Sequence, residues 1–189
     1  MNTTAAANST RKLTTLAMLA AVSVVLAAAV HFPLLPAAPF LEYDPADIAI
    51  FIGAFAFGPW AGLGLTAVVA VIQGITVSAS SGPIGILMHF LATGSFVLAA
   101  GCLYQRRKTR AGAILSLCVG VAVWTVVMLG CNLVFTPIFM GQPMETVLAM
   151  LVPVILPFNL LKGGINALAT YIIYKPVSRV VHHLVDDRA

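Results

Sequence analysis

Long apolar runs occupy most of this sequence, and they restrict it to folds whose helices cross a lipid bilayer. Hydrophobic residues make up 60% of the 189 residues and charged residues only 8%, with a mean hydropathy of +1.02. No polar stretch is long enough to form a linker or a second domain. The sequence therefore predicts an all-α membrane protein with six transmembrane helices and a single domain over residues 1–189. The apolar segments are Leu13–Val30, Ile48–Phe57, Ala61–Val77, Ile84–Tyr104, Ala111–Phe139 and Val147–Tyr174.

Glycine and proline mark several segment ends. The second segment is short, and Gly58-Pro59 separates it from the third, so it is either a half-span or a tilted helix. Gly82-Pro83 begins the fourth segment, and Pro137 is expected to end the fifth.

The charged residues predict how the helices are oriented. With six spans, almost all basic residues fall on one side of the membrane, which the positive-inside rule makes cytoplasmic. Both termini are then cytoplasmic, with tails at 1–12 and 176–189, and the long loop between the first two helices is extracellular. The basic residues are Arg11, Lys12, Arg106, Arg107, Lys108, Arg110, Lys175, Arg179 and Arg188. The opposite side carries Glu42, Asp44, Asp47 and Glu145. The net charge of +4 is explained by this topology and does not indicate a nucleic-acid partner.

The first segment has an alternative interpretation as a secretory signal peptide. Arg11-Lys12, an apolar run and Ala27-Ala28-Ala29 resemble its three regions. The 18-residue run is longer than a usual signal core, and no polar mature domain follows it. We expect a retained first helix.

Lys162 is the charged residue that must lie inside a span. A lysine at the centre of a bilayer costs about 2.5–3.5 kcal/mol, so it normally faces the bundle interior and meets a partner or a ligand. At 100° per residue, Asn159, Lys162 and Asn166 share an arc of roughly 60°. The alternative is that Lys162 extends to the membrane surface. It lies 12 residues, or roughly 18 Å, from the cytoplasmic end at Tyr174, which is beyond the reach of its side chain.

The loop after the first segment is apolar and rich in proline. Pro33, Pro36, Pro39 and Pro45 exclude a regular helix and favour extended turns. A hydrophobic loop of this kind is suited to cover the mouth of a ligand pocket, although it could also simply pack on the bundle. Asp44 precedes Pro45 and could cap the second helix instead of binding a ligand.

Two further polar residues lie within apolar segments. Asn132 offers amide donors and an acceptor where unsatisfied polar atoms are costly, and it could equally hold two helices together. His89 is more often a packing residue than a ligand contact in such a position. The cysteines, Cys102, Cys118 and Cys131, have neither disulfide nor metal-ligand spacing.

The motifs of common enzymes and channels are missing. The sequence has no Walker A pattern, no His-Glu-x-x-His and no Gly-x-Ser-x-Gly. None of the predicted spans contains a carboxylate for proton relay, and no filter motif of an ion channel occurs. These absences disfavour an enzyme, a metal site or a resident cofactor, and they favour a binding subunit.

The sequence resembles the substrate-binding S components of energy-coupling-factor (ECF) vitamin transporters, and among them the riboflavin-specific ones. The resemblance covers nearly the whole chain. Its most specific parts are Leu41-Glu-Tyr-Asp-Pro-Ala-Asp-Ile48, Gly58-Pro-Trp-Ala-Gly62, Gly85-Ile-Leu-Met-His-Phe-Leu-Ala-Thr-Gly94 and Pro157-Phe-Asn-Leu-Leu-Lys-Gly-Gly164.

The resemblance implies a riboflavin site and an assembly. Asn132, Asn159 and Lys162 would contact the flavin and its ribityl chain, and the loop around Leu41 and Tyr43 would close over the ring with Asp44 nearby. The partners would be a transmembrane coupling subunit and two ATPase subunits, so ATP hydrolysis would occur outside this chain. Ala17 and Ala21 match the Ala-xxx-Ala spacing with which the family's first helix contacts the coupling subunit. Rival interpretations are an S component for another vitamin and, more distantly, a membrane enzyme using Lys162 or His89 as a base.

Overall fold

The chain folds into a bundle of helices, as the apolar segments predict. A computed structural model describes residues 3–36 and 38–186, with side chains described from residue 9 to residue 175 apart from residue 37. The helices are α1 (Thr3–Ala29), α2 (Ala46–Phe57), α3 (Pro59–Ile75), α4 (Gly82–Arg106), α5 (Arg110–Met140), α6 (Met144–Met150) and α7 (Leu156–Asp186). A 3-10 turn, Ala79–Ser81, precedes α4, and a π-helical turn, Leu151–Ile155, makes α6 and α7 continuous.

The helical stretches differ in whether they are long enough to cross a membrane. Four of them have both the length and the apolarity to do so within the described residues: Ser9–Ala29, Ala79–Arg106, Arg110–Met140 and Met144–Lys175. Helices α2 and α3 are shorter, with 12 and 17 residues. At 1.5 Å per residue α2 is about 18 Å long, well below the roughly 30 Å of a hydrocarbon core.

Helix α2 is short because it lies inside the bundle. Every residue from Ala46 to Phe55 is buried, and α1, α3, α4 and α7 all contact the helix. A helix surrounded by protein need not match the bilayer, since its neighbours cover it. Gly58 separates α2 from α3 with a φ of +98°, a conformation that side chains other than glycine rarely adopt.

An aromatic cluster fills the bundle below the start of α2. Phe51 stacks on Phe96 with ring centroids 3.6 Å apart, and Trp124 meets both rings edge-on. One turn further along α2, Phe55 stacks on Tyr104 with centroids 4.3 Å apart. Rings of this size bury large apolar areas, so this cluster forms the main core.

Helix boundaries differ from the predictions at three places. The expectation that Pro137 ends the fifth helix is wrong, because α5 continues to Met140 and ends at Gly141, whose φ is +61°. A proline in the last turn removes only one hydrogen bond, and the amides of Gly141 and Gln142 donate to the Pro137 carbonyl. At the two ends, α1 begins at Thr3 and α7 extends to Asp186, so most of both predicted tails is helical. Residues 1, 2 and 187–189 of those tails lie outside the described residues.

Prolines also explain the π-helical turn. Pro157 has no N–H, so the carbonyl of Pro153 lacks its usual donor four residues on. The chain widens locally, and the Leu156 amide donates to the Leu151 carbonyl five residues back. The widened turn lies immediately before Asn159 and Lys162 and so sets the direction in which they enter the bundle.

The loop between α1 and α2 forms a small hairpin. Strands β1 (Phe32–Pro33) and β2 (Glu42–Tyr43) pair antiparallel, with Phe32 opposite Tyr43 and Pro33 opposite Glu42. The turn region packs apolar side chains, among them Ala38 and Leu41, against Val147, Ile155 and Phe158. The loop is therefore an ordered cover on one end of the bundle.

Candidate binding site

A cavity lies beneath the hairpin, between the loop and helices α3, α4, α5 and α7. The space open to the centre of a water molecule measures about 170 Å³, against the roughly 10–15 Å³ that one water molecule needs. The cavity can therefore accept a small organic molecule. Its lining includes His31, Phe40, Leu41, Glu42, Asp44, Asp47, Gln73, His89, Trp124, Met128, Asn132, Thr136, Phe139, Phe158, Asn159 and Lys162.

Lys162 joins α7 to the loop at the edge of this cavity. Its Nζ lies 2.7 Å from Asp44 Oδ2 and also donates to the Glu42 carbonyl oxygen at 3.2 Å. The other Asp44 oxygen accepts from the Ala46 amide at 3.1 Å, so Asp44 binds Lys162 and stabilises the start of α2 at once. Asp44 therefore supports the helix start, as one interpretation expected, and its contact with a ligand stays a prediction.

The ion pair determines the protonation state of Asp44. Burial by itself raises the pKa of this carboxyl group, but the Lys162 ammonium, its hydrogen bond and the Ala46 amide outweigh that effect and hold the pKa at about 2. Asp44 is therefore a carboxylate at neutral pH. Its charge balances Lys162 in the loop-covered end of the bundle, where an unpaired charge would be costly.

The two predicted asparagines are fixed by bonds to neighbouring groups. Asn159 donates to the Ile155 carbonyl at 2.8 Å, and its Oδ1 accepts from Trp124 Nε1 at 3.0 Å. Asn132 donates to the Met128 carbonyl at 2.8 Å and accepts from the Thr136 hydroxyl at 2.8 Å. Each amide keeps a second N–H and a second lone pair. Both side chains are thus preorganised and still able to bind a ligand.

A second group of hydrogen bonds lies beside the cavity, around Asn166 and Asp47. Tyr43 donates its hydroxyl to Asn166 Oδ1 at 3.0 Å. Burial of the ring, with the nearby Asp44 carboxylate, raises the pKa of Tyr43. The Asn166 amide donates to the Asp44 carbonyl and to Asp47 Oδ2, both at 3.2 Å. Asp47 Oδ1 accepts from the Thr93 hydroxyl at 2.8 Å. These bonds tie the loop, α2, α4 and α7 together at one point.

Of the six residues predicted to contact the ligand, five line the cavity and one does not. Leu41, Asp44, Asn132, Asn159 and Lys162 all line the cavity. Tyr43 is buried but does not line it, since its hydroxyl is directed to Asn166. Asn166, on the same stripe of α7, is also buried behind the wall.

The pair predicted to contact a partner lies elsewhere on the molecule. Ala17 and Ala21 lie on the outer surface of α1, where both are exposed. Thr15, Leu19 and Ser23 occupy the opposite face of the helix and are buried.

Several lining residues were not among the predicted contacts. Asp47 was expected outside the spans, but α2 begins at Ala46 and carries this carboxylate into the bundle, where it is 1% exposed. Trp124 and Gln73 lie in apolar segments. Each could have been identified from the sequence, because it is an isolated polar or amphipathic residue in an otherwise apolar run. His31, at the mouth of the cavity, lies 2.7 Å from the Glu42 carboxylate.

The lining combines aromatic surface with directed polar groups. This chemistry is suited to a flat, heteroatom-rich ligand, because aromatic walls accept the ring faces and fixed amides and an ammonium accept its edges. Among the described residues, no cluster of three histidine, cysteine or acidic side chains could hold a metal ion.

Comparison with known proteins gives relatives that span most of the chain. The riboflavin transporter RibU of Staphylococcus aureus is 26% identical over 182 residues, which cover 92% of this chain and 94% of that protein. RibU of Streptococcus thermophilus is 28% identical over 180 residues, covering 91% and 85%. The riboflavin transporter FmnP of Bacillus subtilis is 29% identical over 164 residues, covering 81% and 84%.

The fold is similar to a solved structure. A chain described as the S component of a bacterial ECF transporter superposes with a TM-score of 0.78 and 27% identity, over 92% of this chain and 98% of the other. The profile of the family "ECF transporter, substrate-specific component" matches residues 11–174. The resemblance seen in the sequence motifs is confirmed by these matches. This chain belongs to the substrate-specific components of ECF transporters.

Proposed function

We propose that this protein is a multi-pass membrane subunit that binds riboflavin and delivers it for ATP-driven uptake. The observation that carries the choice of ligand is that three relatives named as riboflavin transporters match 81–92% of the chain. The cavity supports that choice, because its aromatic lining and polar side chains fit a flavin.

The polar residues suit the edges of an isoalloxazine. The pyrimidine ring carries two carbonyl oxygens and an N–H, so it needs both donors and acceptors. Lys162 and the free N–H groups of Asn132 and Asn159 supply the donors, and the amide oxygens supply acceptors. Such bonds are stronger in a dry pocket than in water. Leu41 and Phe158 offer apolar contact to the ring, and Asp44 keeps Lys162 in place.

The loop would cover the ligand from the extracellular side. The positive-inside pattern predicts that both termini are cytoplasmic, and the hairpin would then be outside, where riboflavin arrives. Release on the inner side would need the coupling subunit and two ATPase subunits. Ala17 and Ala21 support a docking role for α1, since both small side chains are exposed and would allow a partner helix to approach closely.

A fluorescence titration tests the ligand. Purified protein in mild detergent should quench riboflavin fluorescence at 1:1 stoichiometry, because the flavin would lie against Trp124 and Phe158. Excess thiamine or biotin should leave the titration unchanged. Binding of either vitamin, with no response to riboflavin, would assign the site to a different ligand.

An uptake assay tests the docking face. With the coupling module present, Ala17→Trp should abolish riboflavin uptake while leaving riboflavin binding unchanged. Val22→Trp is the matched control, since Val22 is also exposed but lies roughly 100–140° around α1 from the two alanines. Equal uptake by both variants would remove this face of α1 from the coupling interface.

A further inference from the structure

The cavity has two chemically different walls. Its phenylalanine and tryptophan residues come from the loop, α5 and α7: Phe40, Trp124, Phe139 and Phe158. The described lining residues of α3, α4 and the turn between them include no Phe, Tyr or Trp. Beside aliphatic side chains such as Ile84, Ile86 and Met88, they contribute five polar side chains: Gln73, Ser78, Ser81, His89 and Thr93. The aromatic part of a ligand would therefore find ring contacts on the side of the loop, α5 and α7, which leaves the polar groups of α3 and α4 to the rest of the ligand.

Gln73 is a buried amide without a protein partner. Gln73 is only 3% exposed. Within the described chain its side chain makes no hydrogen bond, and its polar atoms stay open to the cavity. Its backbone is fixed, because its carbonyl accepts from the amides of Thr76 and Ser78. An unpaired amide in an apolar segment is costly. Its geometry therefore suits a ligand group that both donates and accepts.

His89 lies beside the Asp47 carboxylate. Its Nε2 is buried and lies 3.4 Å from Asp47 Oδ1, outside good hydrogen-bond geometry. Thr93 and Asn166 hold that carboxylate in place. A carboxylate on one side of an imidazole favours the proton on the nitrogen that faces it. Nδ1 is then an acceptor, and among the described residues it has neither a partner nor full burial.

Resting on the function proposed above, we propose that Gln73 and His89 form a hydroxyl-binding subsite for the ribityl chain of riboflavin. The isoalloxazine lies on the aromatic side near Trp124 and Phe158, and the chain of hydroxyl groups extends along α3 and α4. Gln73 exchanges hydrogen bonds with these hydroxyls, and His89 Nδ1 accepts one. Asp47 is a positioning residue that acts through His89.

Two flavins that share a ring separate this role from a structural one. Lumiflavin has the isoalloxazine of riboflavin with a methyl group in place of the ribityl chain. Fluorescence titrations of both ligands are compared for the wild type, Gln73→Leu and His89→Ala. Each substitution should weaken riboflavin binding roughly three- to tenfold, the effect of one or two hydrogen bonds, and change lumiflavin binding less than about twofold.

Stability measurements and a neighbouring control complete the test. Gln73→Leu should not lower the unfolding temperature of the ligand-free protein, because it removes no bond to protein. Phe90→Leu is the control for packing changes in α4, since Phe90 is half-buried and does not line the cavity. It should leave the ratio of riboflavin to lumiflavin affinity unchanged.

Each alternative result has a distinct meaning. Equal losses for both flavins in Gln73→Leu and His89→Ala, or no loss for either, would overturn the subsite while leaving riboflavin as the ligand. A wild-type protein that binds neither flavin would overturn the proposed function, and the subsite with it.

Discussion

The two ends of the helix bundle are held together by different interactions, and α2 passes through both. At its first turn Asp47 is surrounded by hydrogen-bonding groups from α4 and α7. One and two turns later, Phe51 and Phe55 stack on aromatic rings of α4. Directional polar bonds thus order the first turn of α2 at the loop end, beside the apolar contacts of the hairpin turn, and apolar burial dominates at the other end.

The difference indicates how binding and stability are divided. Apolar packing tolerates small shifts, whereas each polar bond at the loop end needs a named partner at a fixed distance. The polar end is also where the cavity lies. Substitutions there should change ligand binding more than stability. Substitutions in the aromatic cluster should do the reverse, except at Trp124, which also lines the cavity.

The largest effect is expected from Phe51→Ala in the aromatic cluster. Removing a fully buried ring that stacks on Phe96 should lower the free energy of unfolding by about 3–5 kcal/mol. Thermal unfolding in detergent measures the loss, and Trp60→Ala, at an exposed ring, is the control. The protein that remains folded should keep its riboflavin affinity within a few-fold. A large loss of affinity without a loss of stability would reverse the division proposed here.

The largest effect on binding is expected from Lys162→Ala, with Asn159→Ala weaker. Losing the ammonium removes a donor to the flavin and leaves Asp44 without its cation, so riboflavin affinity should fall on the order of 100-fold. The double variant Lys162→Ala/Asp44→Ala separates the two causes. It should recover part of the stability but not the affinity, since no orphan charge remains although the bond to the Ala46 amide is lost. Unchanged affinity in both Lys162→Ala and Asn159→Ala would remove these residues from the site.

Acid should weaken the polar end through Asp44. Its folded pKa of about 2 lies below the ordinary 3.8, so the ion pair stabilises the fold fully above pH 3.8 and loses that contribution as the pH falls toward 2. The contribution to the free energy of unfolding that is lost amounts to about 2 kcal/mol. Unfolding temperatures of the wild type and Asp44→Asn, measured from pH 6 to pH 2, should therefore converge. Parallel curves would show that the pair contributes nothing that depends on pH.

The smallest effect is expected from Tyr43→Phe. The change removes only the hydroxyl that tethers the loop to Asn166, a bond worth about 1 kcal/mol. Riboflavin should dissociate roughly fivefold faster in stopped-flow experiments, because the loop opens more easily. Tyr171→Phe, at an exposed position on α7, is the matched control. Identical dissociation rates in the wild type and Tyr43→Phe would show that this tether does not limit release.

The sequence predicted the positions of the helices because most apolar runs are long and are separated by glycine, proline or charged residues. It also identified Lys162, since a charge far from either end of a span needs a partner. Within a single helix the stripe of Asn159, Lys162 and Asn166 was predictable from the period of 3.6 residues. Which of the three line the cavity was not, because the answer depends on β2 packing over Asn166.

Contacts that depend on the conformation of the loop could not be predicted from the sequence. The turn of the hairpin and its pairing register direct Tyr43 to Asn166 and away from the cavity, and no local pattern encodes that register. The sequence predicted that Asp47 lies outside the spans, because this residue follows an acidic, proline-rich loop. Its burial follows only from the position of the first turn of α2 among α4 and α7.

The most direct test of the central claim is an inventory of what the protein carries. The chain is expressed and purified in mild detergent without added ligand, then denatured, and the released small molecules are measured by absorbance and mass spectrometry. We expect riboflavin at close to one molecule per chain, and its loss from Lys162→Ala prepared in the same way. A preparation without flavin that also fails to respond to added riboflavin would contradict the account.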